Sequence, residues 1–323
     1  MPVGKERVTE VIDYALTHGD TRASEVYGLP ISTLERYRRK YKEIYGEGAL
    51  IYLALKKRFT DSELKGIISS SRITPVTKQV PDVSYAGETI TFGVLADTHI
   101  GSIDTDPQDI LSAFREFQTE NCSFVVHAGD VVEGMMNRPS HVYELSSIGY
   151  KAQRDEAIRI FKQCPLPMYV INGNHDESFN TKIGMGVDIV EEVCNAVGNL
   201  RYLGTNDGSI VVNDIKITLF HGTDAGASAA LSHRGQRILD SIPISDRPSI
   251  LITAHDHKAI SFKYKGSYVV AGGCIQKQTG FMRGRRMDAY TGFWIIKMTV
   301  RNGRILKFQP TFYTLGEDIH YED

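Results

Sequence analysis

The stretch Ile90-Thr91-Phe92-Gly93-Val94-Leu95-Ala96-Asp97-Thr98-His99 decides the fold, because an apolar run of strand character ends there on an acid and an imidazole one residue apart. The same grammar returns four times. Ala128-Gly129-Asp130 follows Phe124–Val126, and Gly173-Asn174-His175-Asp176 follows Met168–Ile171. His221-Gly222 follows Ile215–Phe220, and Ala254-His255-Asp256-His257 follows Ile250–Thr253. Between the earlier runs lie stretches of helical character, Ile110–Phe117 and Ala157–Phe161. Strands alternating with helices predict a sheet covered by helices, with the loops past its strand ends gathered on one rim. Later runs, at Ile210–Val212, Ile215–Phe220, Ile250–Thr253, Tyr268–Val270 and Phe293–Val300, are more closely spaced and predict a second sheet built largely from sequence neighbours. The expectation over residues 89–323 is an α/β domain, a two-sheet sandwich with outer helices.

Upstream the character differs. Residues 1–68 lack strand alternation and place Val8, Val11, Ile12 and Ala15 at helical offsets, so a small all-helical domain is expected there. Residues 69–88, with Ser69-Ser70-Ser71, Pro75, Pro81 and Ala86-Gly87, read as a linker. A length of 323 residues suits two domains. The net charge of -2 divides unevenly: residues 1–80 hold 14 Lys and Arg against 10 Asp and Glu, and the remainder holds 23 against 29. A basic excess suits a polyanionic partner, and an acidic catalytic portion suits one that collects cations. No apolar run is long enough to span a bilayer and the first residues do not build a signal peptide, so a cytoplasmic location is expected. Cys122, Cys164, Cys194 and Cys274 lack CxxC spacing, which argues for reduced core thiols rather than a disulfide framework or a cysteine zinc site.

The polar clusters carry the chemistry. Five of the ten histidines sit in them. A lone Asp-x-His is ordinarily a turn or a helix cap, but five such clusters, each behind a strand, are not explained by turns. A pair of divalent ions needs a carboxylate able to bridge and imidazoles that stay neutral near pH 7. Asp97 and His99 can face one ion from a tight turn, and Asp130 behind Gly129 is the natural bridge. Asn174 adds a ligand without charge, and His221, His255 and His257 complete a set unlike an all-carboxylate calcium cage.

Asp97-x-His99, Gly129-Asp130, Gly173-Asn174-His175-Asp176, His221-Gly222 and His255-x-His257 together resemble the calcineurin-like metallophosphoesterase superfamily over roughly residues 90–312. The resemblance implies an α/β/β/α sandwich. It also implies one ion on Asp97, His99, Asp130 and His257, a second on Asp130, Asn174, His221 and His255, and His175 facing the scissile phosphate without being a ligand. Two divalent ions are expected, manganese first, with zinc, iron(II) or magnesium as alternatives. The sequence departs from the pattern at Ala254, where the family often has glycine. Gly129-Asp130-Val131-Val132-Glu133, with Asn137-Arg138-Pro139-Ser140 after it, is similar to the SbcD-type repair nucleases, which commonly place histidine at the position of Glu133. Protein phosphatases of the calcineurin kind place a carboxylate there, so Glu133 is the expected partner of a general acid His175. His127, inside an apolar run, is read as a packed strand residue.

In the helical segment, Thr21–Tyr27, Gly28-Leu29-Pro30 and Ser32–Lys42 resemble a helix-turn-helix DNA-binding unit, with Ser32 and Glu35 at capping-box spacing. Leu34, Tyr37 and Tyr41 form the inward stripe of its second helix, leaving Thr33, Arg36, Arg39 and Lys40 toward DNA. Arg138, Arg234, Gln278 and Arg283 are further candidate DNA contacts, the latter three in stretches similar to phage and archaeal relatives. The leading expectation is a DNA nuclease of phage or prokaryotic DNA metabolism, acting in the host cytoplasm if phage-encoded, with a homodimer compatible. A phosphomonoesterase or small-nucleotide phosphodiesterase is the second reading, and a noncatalytic DNA-binding scaffold the third.

Overall fold

A computed structural model describes residues 5–45, 80–223 and 230–315. The chain divides into two compact units, Met1–Pro75 and Val76–Asp323. The parts of the helical segment and linker at residues 46–79 lie outside the described residues.

In the first unit, α1 (Lys5–His18), α2 (Asp20–Tyr27) and α3 (Ile31–Tyr45) enclose a core of Val8, Val11, Ile12, Ala15, Ala23, Leu34, Tyr37 and Tyr41. Gly28 ends α2 at φ 62, a left-handed conformation that glycine reaches without steric cost. Asp20 and Arg38 pair across α2 and α3, so Arg38 is spent within the fold. The capping-box expectation for Ser32 is corrected: α3 begins one residue earlier, and the Thr33 and Leu34 amides donate to the Pro30 carbonyl.

The second unit contains two six-stranded sheets. The first runs through β2 (Thr89–Leu95), β3 (Phe124–His127), β4 (Met168–Asn172) and β5 (Leu200–Thr205), all parallel neighbours. β11 (Gly292–Arg301) pairs antiparallel with β2, and β12 (Arg304–Thr314) with β11. The second sheet holds β1 (Asp82–Val83), β6 (Asp207–Val212), β7 (Ile215–Phe220), β8 (Ile250–Thr253), β10 (Ser267–Gly272) and β9 (Ala259–Tyr264) in that order. Two expectations change. Phe293–Val300 joins the first sheet rather than the second, and Asp82–Val83, read as linker, pairs with β6.

The period of two along β2 shows how the layers are made. Ile90, Phe92 and Val94 face the second sheet, meeting Ile217, Leu219, Ile250 and Ile252 in a core shared by both sheets. Leu95 points the other way, into a core with Ile110, Phe114 and Phe117 of α4 (Pro107–Thr119) and with Ala157, Ile160 and Phe161 of α5 (Tyr150–Phe161). The short α6 (Ser178–Thr181) and α7 (Ile189–Ala196) complete this outer layer. On the far face of the second sheet, Ile238 and Leu239 of α8 (His233–Ser241) pack on Leu251 and Val269. The result is an α/β/β/α sandwich. All four cysteines are buried and free. No helix among the described residues is long and apolar enough to cross a membrane.

Candidate metal centre

β2, β3 and β4 are parallel neighbours in one sheet, and β7 and β8 are parallel neighbours in the other. Their C-terminal ends meet on one rim, as loops after parallel strands do. Past them stand Asp97 and His99, Asp130, Asn174 and His175, His221, and His255 and His257, in that order of strands. Asp97, His99, Asp130, His221 and His257 are buried; Asn174, His175 and His255 are half-buried.

The turns that carry these side chains are unusual. Asp97, His99, Asp130, His255 and His257 have φ of 48, 43, 51, 82 and 54 degrees, where non-glycine residues are strained. Surrounding bonds hold them there. The Asp97 and His99 amides donate to the Gly129 and Asp130 carbonyls at 3.0 Å each, and the His175 amide donates to Asp130 Oδ1 at 2.8 Å. Asp176, fully within the fold, accepts from the Val131, Val132 and Gly173 amides and so ties the loop after β3 to the loop after β4. At Gly173 an added Cβ would overlap the Asp130 carboxylate and stand 2.7 Å from His221 Nε2, so only glycine lets these loops close on the site.

Three trios of donors result. Asp97, His99 and His257 each offer one atom within 4.8 Å of the others, and so do Asp130, His221 and His255, and His99, Glu133 and His175. His221 donates from Nδ1 to the Ala128 carbonyl at 2.8 Å, which turns Nε2 toward Asp130 Oδ2 at 3.0 Å and Asn174 Oδ1 at 3.2 Å. His99 Nε2 lies 3.8 Å from Asp97 Oδ1 and 3.7 Å from Asp130 Oδ2, and His257 Nε2 lies 3.5 Å from Asp97 Oδ1. These gaps are too long for hydrogen bonds. Two ligands each about 2.1 Å from one cation stand roughly 3.0–3.4 Å apart, so the spacing fits shared coordination with a shift of a few tenths of an ångström. The buried His99 Nε2 has no hydrogen-bond partner, a state costly enough to call for one. The residues present therefore fit a pair of divalent cations.

Electrostatics point the same way. Burial opposes ionisation of Asp97, but the His257 and His99 rings outweigh it and hold the carboxyl at about 2. Asp130 is likewise held far below the usual carboxylate range, its burial overcome by His221 and His175. Burial lowers His255 and His257 to about 4, against the pull of the carboxylates, so both rings are neutral and keep a lone pair for a metal. His221 is pushed up to about 9: Asp130 overcomes the effect of burial, and a proton stands between them where a cation can.

Glu133 serves this site differently from the expectation. Its main-chain carbonyl accepts from His175 Nδ1 at 2.8 Å, while its carboxylate is 3.6 Å from that ring. The buried carboxylate instead lies 2.7 Å from His99 Nδ1 and accepts from His141 Nε2 at 2.6 Å and Gln276 Nε2 at 2.8 Å. His141 and Gln276 carry no role in the sequence reading; Gln276 lies 143 residues from Glu133, and His141, though only 8 residues away, follows no spacing rule that points to it. His127, buried, pairs with Thr98 Oγ1 at 3.0 Å, and burial lowers it to about 3. It braces the Asp97–His99 turn.

Of the expected DNA contacts, Arg36 and Arg39 are exposed on α3, with Thr33 and Lys40 half-buried. Arg283 is exposed and donates to the Gln278 carbonyl; the Gln278 amide donates to the Met287 carbonyl at 2.7 Å. Arg138 pairs with Glu144 and lines the cavity that also holds His99, Asp130 and His257. Arg234 is corrected. It is buried, with its guanidinium on the His221 and Ala254 carbonyls, where it clamps the loops after β7 and β8 and cannot meet a polyanion.

Residues 90–259 match the family described as calcineurin-like phosphoesterase. The DNA polymerase II small subunit of Methanothermobacter thermautotrophicus is 24% identical over 249 residues, which cover 63% of this chain and 51% of that protein. The chain thus spans about half the length of the curated relative it matches. Among solved structures, an archaeal phosphodiesterase is 15% identical and covers 69% of this chain and 100% of its own, with a TM-score of 0.42. Vacuolar Protein Sorting 29 from Cryptosporidium parvum is 17% identical, covers 70% of this chain and 99% of its own, and has a TM-score of 0.38.

Proposed function

The chain belongs to the calcineurin-like phosphoesterase family, whose pattern matches residues 90–259, and on that premise we propose that it is a phosphodiesterase that works with two divalent ions and cleaves DNA. The observation that carries this reading is the convergence of the Asp97 and Asp130 donor trios, from loops of both sheets, on one buried rim. In the proposal Asp97, His99 and His257 hold one ion, Asn174, His221 and His255 the other, and Asp130 stands between them. Two divalent ions, when bound, bind phosphate oxygens and make a water easier to deprotonate. Manganese is the first choice on the carboxylate and amide oxygens, which suit magnesium as well, while the imidazoles suit zinc and iron(II), so these three are the alternatives.

The chain's own residues do the rest. His175 projects beside the metal ligands, its ring 4.6 Å from that of His99, with Nδ1 fixed on the Glu133 carbonyl. Nε2 is thereby turned to the substrate. Burial lowers its affinity for a proton; a phosphodiester anion arriving at Nε2 favours the protonated ring, which then donates to the leaving oxygen. The Glu133 carboxylate keeps the His99 ring aligned for its ion.

A DNA substrate is supported by the positive excess of residues 1–80, by Arg36 and Arg39 exposed on α3, and by the DNA polymerase subunit among the relatives. The retention of every ligand disfavours a noncatalytic scaffold. One assay decides between DNA and small esters: the chain with manganese is offered linear duplex, single strand, nicked circle and a small aryl phosphodiester. The proposal expects cleavage of at least one DNA form, absent in Asp130→Asn. Turnover of the aryl ester alone would leave a small-substrate phosphodiesterase.

A further inference from the structure

The cavity over the metal ligands holds about 120 Å³. The same cavity runs from His99, His175 and His257 out to Phe281, Met282 and Met287, so a group esterified to a phosphate at the candidate metal ligands lies beside these outer residues. There the chain places α9 (Gly280–Gly284), a short helix whose first turn is capped by Thr279 Oγ1 on the Met282 amide at 3.2 Å. The turn is fastened again by Gln278 on the Met287 carbonyl.

This fastened turn presents an aromatic ring to solvent. Phe281 lines the same cavity as His99 and His257 and is 37% exposed. Two guanidiniums lie over the ring, Arg138 at 4.9 Å and Arg285 at 4.4 Å from its centroid. Arg138 is itself fixed by its pair with Glu144, and Arg285 is exposed. Arg285 is the exposed cover of this ring: when its guanidinium turns to a phosphate, the ring is left with a flat apolar face for an unstacked base, and positive charge stays beside the anion.

We propose that Phe281, with Arg138 and Arg285, forms a subsite that stacks a nucleobase flanking the scissile phosphodiester. The subsite rests on the phosphodiesterase reading and deepens it: the substrate is a nucleotidyl ester whose base is free of a duplex stack, as at a single strand or a frayed end. Phe281 sets specificity and takes no part in the bond-breaking step.

The test uses the full chain with manganese and two esters sharing one leaving group, thymidine 5′-(4-nitrophenyl phosphate) and methyl 4-nitrophenyl phosphate. Phe281→Ala should lower kcat/KM for the thymidine ester about tenfold and leave the methyl ester within about twofold. Phe281→Trp, which keeps a stacking face, should retain the preference for the nucleoside. Arg285→Ala should cause a smaller loss that fades with added salt. Equal effects of Phe281→Ala on both esters, or none on either, would overturn the subsite while leaving the phosphodiesterase reading intact. Failure of the unaltered chain to hydrolyse either ester would overturn both.

Discussion

His175 is the residue on which the two-ion proposal is most exposed, because it lies outside the trios built on Asp97 and Asp130 yet shares a third with His99 and Glu133. His175→Ala should keep both metals and lose rate by about 10²–10⁴, with the deficit shrinking for a leaving group that needs no proton. Metal analysis beside the two rates checks this, and metal loss in the variant would make His175 a ligand. The positions of the residues in the Asp97 and Asp130 trios were legible in the sequence because each follows a strand at its C-terminal end, where chain order alone sets position. Glu133, Gln276 and His141 were not legible in the same way. Their contacts join segments as far apart as residues 133 and 276, and the sequence carries no sign of which side of Glu133, carboxylate or carbonyl, meets each histidine.

At the scale of elements, the site is an agreement between two sheets. Arg234 on α8 enforces part of it by bridging the carbonyls behind His221 and His255. Arg234→Leu removes both donors from buried acceptors and should cost about 2–4 kcal/mol. It should also weaken metal binding at the His221 and His255 ion, since the loops lose their clamp. Thermal unfolding of metal-stripped and metal-loaded protein checks both; an unchanged Tm with unchanged metal affinity would remove the clamp from the account. The sequence placed Arg234 on a surface because its helix reads as polar, and polarity does not distinguish a cation facing water from one facing carbonyls. A similar gap hid the sheet membership of β11. Its apolar residues, Trp294, Ile296 and Met298 on one face and Phe293 and Ile295 on the other, announce a strand buried on both sides. They do not say which sheet receives it. β1, with only two residues, has no period to read.

For the whole molecule, the proposed division of labour gives DNA affinity to the helical unit and hydrolysis to the sandwich. Thr33→Ala, Arg36→Ala and Arg39→Ala together should flatten the salt dependence of DNA binding, with a slope smaller by up to about two for the two lost cations. Hydrolysis of a small aryl phosphodiester should stay within about twofold, because these residues lie in a separate compact unit. DNA binding with an unaltered salt slope would leave α1–α3 as an interaction module for something other than DNA. Beneath that division lies the central claim, a centre for two divalent ions in which Asp130 stands between the trios. The most direct test is titration of metal-stripped chain with manganese while hydrolysis of a small aryl phosphodiester is followed. The account predicts activity that rises until two equivalents are bound; activity complete at one equivalent, or none at any, would contradict it.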